Sequence, residues 1–251
     1  MKFNASPVIY PETDGQPIAE SDATRHYLFY AVEALSLHFA SRRNIYVSGN
    51  LFIYYEEGNN RASISPDVFV IFGVSNRDRR SYKSWQEGGK LPSFILEITS
   101  MTTKKQDEVE KPQLYAQLGV TEYFQYDPTA DYLNPQLKGF RLIEGHYQPI
   151  PLEPINADTS FIYSQTLGLD LQLQTQSQPV VGIAPLPREL RFYDRQTGSK
   201  LLSRREVEQA LARSEQERTL AEQERDLAQQ RAEQLAAQLR ALGINPDEIS
   251  S

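Results

Sequence analysis

Residues 94–126 read as a strand, a helix and a second strand, and that succession narrows the fold more than any other feature of the chain. Phe94-Ile95-Leu96-Glu97-Ile98 is a short apolar run of strand length. Residues from about 103 to 118 follow as a helix that stops at Gly119, a residue free to take the left-handed turn that ends helices. Glu122-Tyr123-Phe124-Gln125-Tyr126 is the next strand, closed by Asp127-Pro128. Two strands joined by a crossover helix lie parallel in one sheet. Upstream, residues 44–56 and 63–73 are rich in Ile, Val, Phe and Tyr, with Glu57-Gly58-Asn59-Asn60 between them as turn chemistry, and they predict an antiparallel hairpin. With Ser21 or Asp22 as N-cap, the residues up to about Ala40 predict a largely apolar, buried helix. The expected order is therefore α-β-β-β-α-β around a mixed sheet, an α/β (α+β) class. Residues 140–149 and 167–173 add outer strands or packing segments.

Carboxylates stand out against this apolar background. Ser65-Pro66-Asp67-Val68-Phe69-Val70 sets one at the lip of a strand. Alternation along residues 94–99 puts Phe94, Leu96 and Ile98 on one face and Ile95, Glu97 and Thr99 on the other. Glu97 thus interrupts a run where an unpaired charge is costly. Asp107 and Lys111 are four apart, on one face where that stretch is helical. Two carboxylates on neighbouring strands can share one hard cation, and a nearby lysine can orient or deprotonate water and offset phosphate charge. Each piece alone has a bland counterpart: turn chemistry, a salt-bridged strand residue, a surface ion pair. The ordered set on matching elements carries the chemical reading.

The chain has no cysteine, and its three histidines (His26, His38, His146) lack HxH or HxxxH spacing. Zinc chemistry on thiolates or imidazoles is therefore not expected, and oxygen ligands point to Mg²⁺ or Mn²⁺. Neither GxxxxGK[ST] nor GxGxxG occurs. No stretch approaches the roughly 18 apolar residues of a membrane helix, and the first residues carry no apolar run of signal-peptide length. A cytoplasmic protein without a membrane partner is the expectation.

Pro66-Asp67, Leu96-Glu97-Ile98-Thr99-Ser100, Thr103, Asp107, Lys111, Tyr115, Leu118-Gly119-Val120, Glu122-Tyr123-Phe124 and Asp127-Pro128 together resemble the Uma-two family of restriction-endonuclease-like proteins. Leu190-Arg191-Phe192-Tyr193-Asp194, Thr197-Gly198 and Leu201 extend the resemblance toward the C-terminus. It implies a PD-(D/E)XK nuclease fold and a Mg²⁺-dependent endonuclease acting on DNA. By the same resemblance Asp67 and Glu97 are the metal ligands, the Ile98 carbonyl is a third oxygen, and an acid on the first helix, here Glu33, is an accessory candidate. The sequence departs from the superfamily pattern at Thr99, where a lysine is usual. Lys111 is read as that lysine moved onto the following helix. Because Pro112 suits a helix's first turn, the helix is expected to begin near Lys111, with Asp107 on an irregular lead-in.

The net charge of −7 argues against a large sequence-independent nucleic-acid surface. Residues 75–90 run against that balance, with Arg77, Arg79, Arg80, Lys83 and Lys90 facing only Asp78 and Glu87, and Tyr82 and Trp85 interleaved. This loop is either a grip on a phosphate backbone or a solvated loop anchored by Trp85. Residues 200–242 contain no Gly or Pro and are built of good helix formers. A heptad seam runs from Val207 through Leu211 to Leu235, Leu239 and Leu242, weakened by Ser214, Arg218 and Arg225, so a solvated single helix and an oligomerising coiled coil both stay open. The expected organisation is a nuclease-like domain over 1–190 with an irregular arm over 1–20, a connector over 191–202, a long helix over 203–242 and a tail over 243–251. A catalytically silent nuclease-like module acting through its C-terminal helix is the alternative function.

Overall fold

The computed structural model describes residues 8–12, 21–101, 104–175 and 188–243. Helix α1 (Asp22–His38) opens the fold, capped by the Ser21 hydroxyl, which accepts from the Thr24 N–H at 3.1 Å. Strands β1 (Ile45–Ser48), β2 (Ile53–Tyr54), β3 (Ser63–Ile64), β4 (Val68–Phe72) and β5 (Tyr82–Lys83) precede β6 (Phe94–Ile98). A helical stretch leads into α2 (Lys111–Gln117), followed by β7 (Glu122–Tyr126), β8 (Leu137–Ile143) and β9 (His146–Ile150). The main sheet has the order β1-β4-β6-β7-β8-β9, antiparallel throughout except for the parallel pair β6–β7 that α2 joins. The α-β-β-β-α-β order is thus present as α1-β1-β4-β6-α2-β7, in a mixed α+β fold.

The two faces of this sheet are covered differently. Phe94, Leu96 and Ile98 of β6 pack with Tyr27, Ala31 and Leu35 of α1, while Ile95 packs with Tyr115 of α2 and Tyr123. The hairpin expected over 44–73 is a more divided structure. β1 pairs with β4, whereas β2 pairs with β3 and, in parallel, with β5, forming a separate three-stranded sheet. Gly49 and Asn50 turn the chain from one sheet to the other: the Asn50 N–H donates to the Pro66 carbonyl at 3.0 Å.

A further sheet of five strands is built from β10 (Glu153–Pro154), β11 (Thr159–Ser164), β12 (Leu169–Gln174), β13 (Glu189–Asp194) and β14 (Ser199–Lys200). Its apolar residues Ile162, Leu171, Leu190 and Phe192 join α1 in the first core. Residues 191–202, expected as a connector, therefore belong to the folded body, because Phe192 is fully buried and the Tyr30 hydroxyl bridges the Leu201 carbonyl (3.1 Å) and the Phe192 N–H (3.0 Å). Glu122 joins the two sheets: its buried carboxylate accepts from Arg141, from the Ser164 hydroxyl and from the Gln165 and Thr166 amides. The compact body ends at Ser203, and α3 (Arg204–Ala241) is a unit of its own with no buried residue. The expected arm over 1–20 and tail over 243–251 fall largely outside the described residues.

Candidate active site

Asp67 and Glu97 converge where two strands part. The β4–β6 ladder stops at Val68 opposite Leu96, so Ile98 lacks a strand partner on that edge. Its N–H donates instead to Asp67 Oδ2 at 2.8 Å, and the Asp67 N–H lies 3.5 Å from Glu97 Oε2. The carboxylate just before β4 has thereby replaced a ladder bond, which fixes Asp67 at the mouth of the split. Gly49 is the residue that lets it sit there. A Cβ at Gly49 would lie 2.1 Å from the Asp67 carbonyl oxygen and 3.0 Å from Val32 Cγ2. Gly49→Ala is expected to destabilise the fold by about 1–3 kcal/mol and to weaken divalent-metal affinity, because relief requires moving the Asp67 backbone. Denaturant titration and calorimetry with Mg²⁺ read both effects.

Glu97 is completely buried, and both of its oxygens are met from α2. The Tyr115 hydroxyl donates to Oε1 at 2.6 Å, and Lys111 Nζ lies 2.9 Å from Oε2. Lys111 also reaches Asp107 Oδ1 at 2.7 Å. Asp107, Lys111 and Tyr115, spaced by four, form one stripe along the helical segment. The lead-in to α2 is not irregular, as the sequence suggested, but a wide π-type turn over Gln106–Glu110. Pro112 explains it. The Lys111 N–H donates back to the Gln106 carbonyl, and the next acceptor in that register, the Asp107 carbonyl, would need the N–H that Pro112 lacks. That carbonyl is instead taken by the Tyr123 hydroxyl (2.8 Å) and Gln125 Nε2 (2.5 Å), which hold Asp107 buried beside the sheet.

Thr99 stands two residues after Glu97 and reaches Lys111 through Asp107. Its hydroxyl donates to Asp107 Oδ2 at 2.6 Å and, having given up its one proton, accepts from the Tyr132 hydroxyl. Tyr132 is carried by a loop that Asp127 organises: the Asp127 carboxylate accepts from the Thr129, Tyr132 and Leu133 amides at 3.0–3.1 Å. Neither Tyr132 nor Asp127 was singled out as a site residue in the sequence; Asp127-Pro128 read as a strand end and as part of the family resemblance, with no role in the site. A continuous chain of contacts results, from Tyr132 through Thr99, Asp107 and Lys111 to Glu97 and Tyr115.

Electrostatics sharpen the picture. Burial, together with the neighbouring Glu97 charge, pushes the Asp67 carboxyl well above the usual carboxylate range. For Lys111, burial works against the charge, but the carboxylates of Glu97, Asp107 and Asp67 outweigh it and hold the ammonium above its ordinary pKa. Lys111 is thus a fixed cation in this structure, suited to orient water and neutralise phosphate rather than to accept a proton.

The remaining candidates divide. Glu33 lies on the exposed side of α1. Arg79 is withdrawn from the nucleic-acid role expected of it: its side chain is 5% exposed, its guanidinium bonds Glu87 Oε1 (2.9 and 3.1 Å) and it stacks 4.3 Å over the Tyr46 ring. It is a clamp for the loop. Arg77 and Arg80 are exposed but ion-paired to Glu87 and Glu12, and Lys83 sits over the Tyr10 ring. This loop is rooted after Phe72 and before Phe94, at the ends of β4 and β6 opposite Asp67 and Glu97.

Among the described residues no group of three or more His, Asp or Glu side chains forms a metal cage. The donor set is two carboxylates under mutual repulsion, which fits a hard cation that keeps several of its waters and takes only one or two protein carboxylates. A mixed sheet with a crossover helix, and an Asp/Glu pair at the split between neighbouring strands, define the restriction-endonuclease-like class. Residues 7–176 match the family model Uma2, described as "Putative restriction endonuclease", and the chain belongs to that family. It is also similar to a solved structure titled as a "putative nuclease belonging to DUF820 from Anabaena variabilis ATCC 29413", at 13% identity and a TM-score of 0.39, covering 58% of this chain and 80% of that one. No curated protein matches the sequence.

Proposed function

We propose that the protein is a metal-dependent endonuclease that hydrolyses phosphodiester bonds of DNA. The observation that carries this reading is the convergence of Asp67 and Glu97 with the Lys111 ammonium 2.9 Å from Glu97. Asp67, Glu97 and the Ile98 carbonyl would hold Mg²⁺ or Mn²⁺. Such an ion, when bound, polarises a phosphoryl oxygen and makes water a better nucleophile at neutral pH. The chain's own groups do the rest. Lys111, kept charged by Glu97 and Asp107, donates to the water or to a non-bridging phosphate oxygen and offsets the charge that builds up there. Asp107 and Thr99 position Lys111, and Tyr115 holds the second oxygen of Glu97 so that the carboxylate keeps its orientation. Arg77, Arg80 and Lys83 remain candidate DNA contacts at the far end of the strands.

A plasmid-nicking assay tests the reading, with Mg²⁺, with Mn²⁺ and with chelator. Nicking that needs the metal and disappears with chelator supports it; intact plasmid under every condition, from a protein that binds neither ion by calorimetry, overturns it. A second reading, a silent nuclease-like module acting through α3, is favoured by one observation. Val207, Leu211, Leu220, Leu227, Leu235 and Leu242 are all exposed on a helix that buries nothing within its own unit. Homo-oligomers formed through α3, by a protein without nuclease activity, would favour it.

A further inference from the structure

We propose that the cavity between the start of α2 and β8 is a phosphate subsite for the nucleic-acid strand that Asp67 and Glu97 engage, with Lys138 as its cation. The inference rests on the nuclease reading and extends it to a second point of contact. Sheet register places the residue. Glu97 is paired with Gln125 and Gln125 with Lys138, so the three side chains leave the same face of the sheet in one row across β6, β7 and β8. At the usual spacing between strands, the Lys138 backbone stands about 10 Å from that of Glu97. Gln125 is buried between them with its amide committed to the Asp107 carbonyl. Lys138 is part-exposed and lines a cavity of about 280 Å³ together with Glu108, Pro112, Gln125 and Phe140.

What singles out Lys138 is that its charge is uncommitted. Lys111 is held by Glu97 and Asp107, Arg141 on the same strand by Glu122, and Arg79 by Glu87. Lys138 has no ion pair among the described residues. An unpaired ammonium on the face that carries the acidic pair, two strands away, is placed to take an anion that reaches over the site. Nucleic-acid backbone is such an anion, and lysines that meet it contribute affinity without sequence preference. Phe140, two residues along β8 and on the same face, offers an aromatic surface beside the ammonium. Pro112 also borders a second cavity, of about 570 Å³, lined by Gln113, Gln117, His146 and Tyr147, so polar and aromatic groups continue along α2. The exposed Glu108 carboxylate at the rim opposes an anion, and its removal should act in the opposite sense to that of Lys138.

The test uses the full chain and labelled single-stranded and duplex oligonucleotides. Binding is followed by fluorescence anisotropy in chelator across a salt series, and plasmid nicking is measured in Mg²⁺. Lys138→Ala is expected to weaken binding about three- to tenfold and to lower the slope of log affinity against log salt by about one, the signature of one lost phosphate contact. Lys138→Arg should keep the parental slope, and Glu108→Gln should tighten binding. Nicking by Lys138→Ala should show a raised KM with kcat largely kept. The subsite is overturned, and the nuclease reading left standing, where the parent binds and nicks and Lys138→Ala matches it in affinity and slope. A parent that neither binds nor nicks removes both. Should Lys138→Ala melt early, Lys138→Arg and Glu108→Gln decide by the same criteria: a flattened slope with arginine, or no tightening with glutamine, overturns the subsite.

Discussion

Asp67→Asn is expected to abolish metal-dependent cleavage while raising the melting temperature of the metal-free protein at pH 8. Both effects follow from the raised proton affinity of this carboxyl. In the folded protein its pKa lies above the unfolded value, so the native state binds more protons between the two values and stability falls as pH rises through that window. Above the folded pKa, the ionised Asp67 carries its full cost beside Glu97. Asparagine removes that cost and can still accept the Ile98 N–H that Asp67 Oδ2 accepts at 2.8 Å. The gain in melting temperature should fade as pH falls through the folded pKa toward the ordinary carboxylate range, where Asp67 itself becomes neutral. Activity moves the other way. An amide is a poor ligand for Mg²⁺, and losing the several kcal/mol of charge stabilisation that a divalent ion supplies corresponds to a loss of about a thousandfold or more in rate. Calorimetry, thermal melts across pH and the nicking assay read the three arms. A variant that melts earlier than the parent at pH 8 would contradict the charge repulsion inferred for the acidic pair.

Lys111→Ala is expected to eliminate cleavage for a different reason and with the opposite effect on stability. Removing the ammonium leaves Glu97 and Asp107 buried without their shared cation, a loss of about 3 kcal/mol in the metal-free protein. Mg²⁺ should restore part of that loss, since the Asp67 and Glu97 carboxylates remain, and the metal-induced rise in melting temperature should be larger for the variant than for the parent. Adding Thr99→Lys would return an amine to the strand face that carries Glu97. Thr99 is buried beneath the Tyr132 hydroxyl, so this rescue requires Tyr132 to move, and recovery should be partial. A Lys111→Ala protein that nicks at the parental rate removes Lys111 from the site.

Much of this arrangement was legible in the amino-acid sequence because it is local. Glu97 interrupts an apolar strand, where alternation gives its face, Asp67 precedes another, and Lys111 sits at the helix start that Pro112 marks; the four-residue spacing from Asp107 put that pair on one face only where the lead-in is helical, as it is. What escaped depends on contacts between distant segments. The edge strands β10 and β14 are two residues each and β11 alternates between buried and part-exposed positions, so a segment readable only as an outer strand, 167–173, becomes part of a core layer through packing with α1. Gly49 carries no turn signal of its own; its necessity comes from the approach of the Asp67 carbonyl. Arg79 reads as a basic loop residue until Tyr46 and Glu87, contributed from either side, are seen to enclose it. Pro112 did mark the helix start, but the turn before it kept helical form because Tyr123 and Gln125, two strand residues further on, satisfy the carbonyl that proline cannot.

The bond between Tyr30 and Leu201 spans 171 residues. At typical rates of synthesis, helix α1 exists for roughly ten to thirty seconds before the segment that covers it has been made. During that interval the apolar face of α1 lacks β13 and Leu201, and the Tyr30 hydroxyl lacks both of its backbone partners. A chain interrupted anywhere in residues 130–188 would already carry Asp67, Glu97 and Lys111, yet could not close the layer behind them. The acidic pair is thus encoded early, while the layer behind it closes only once translation has passed residue 201.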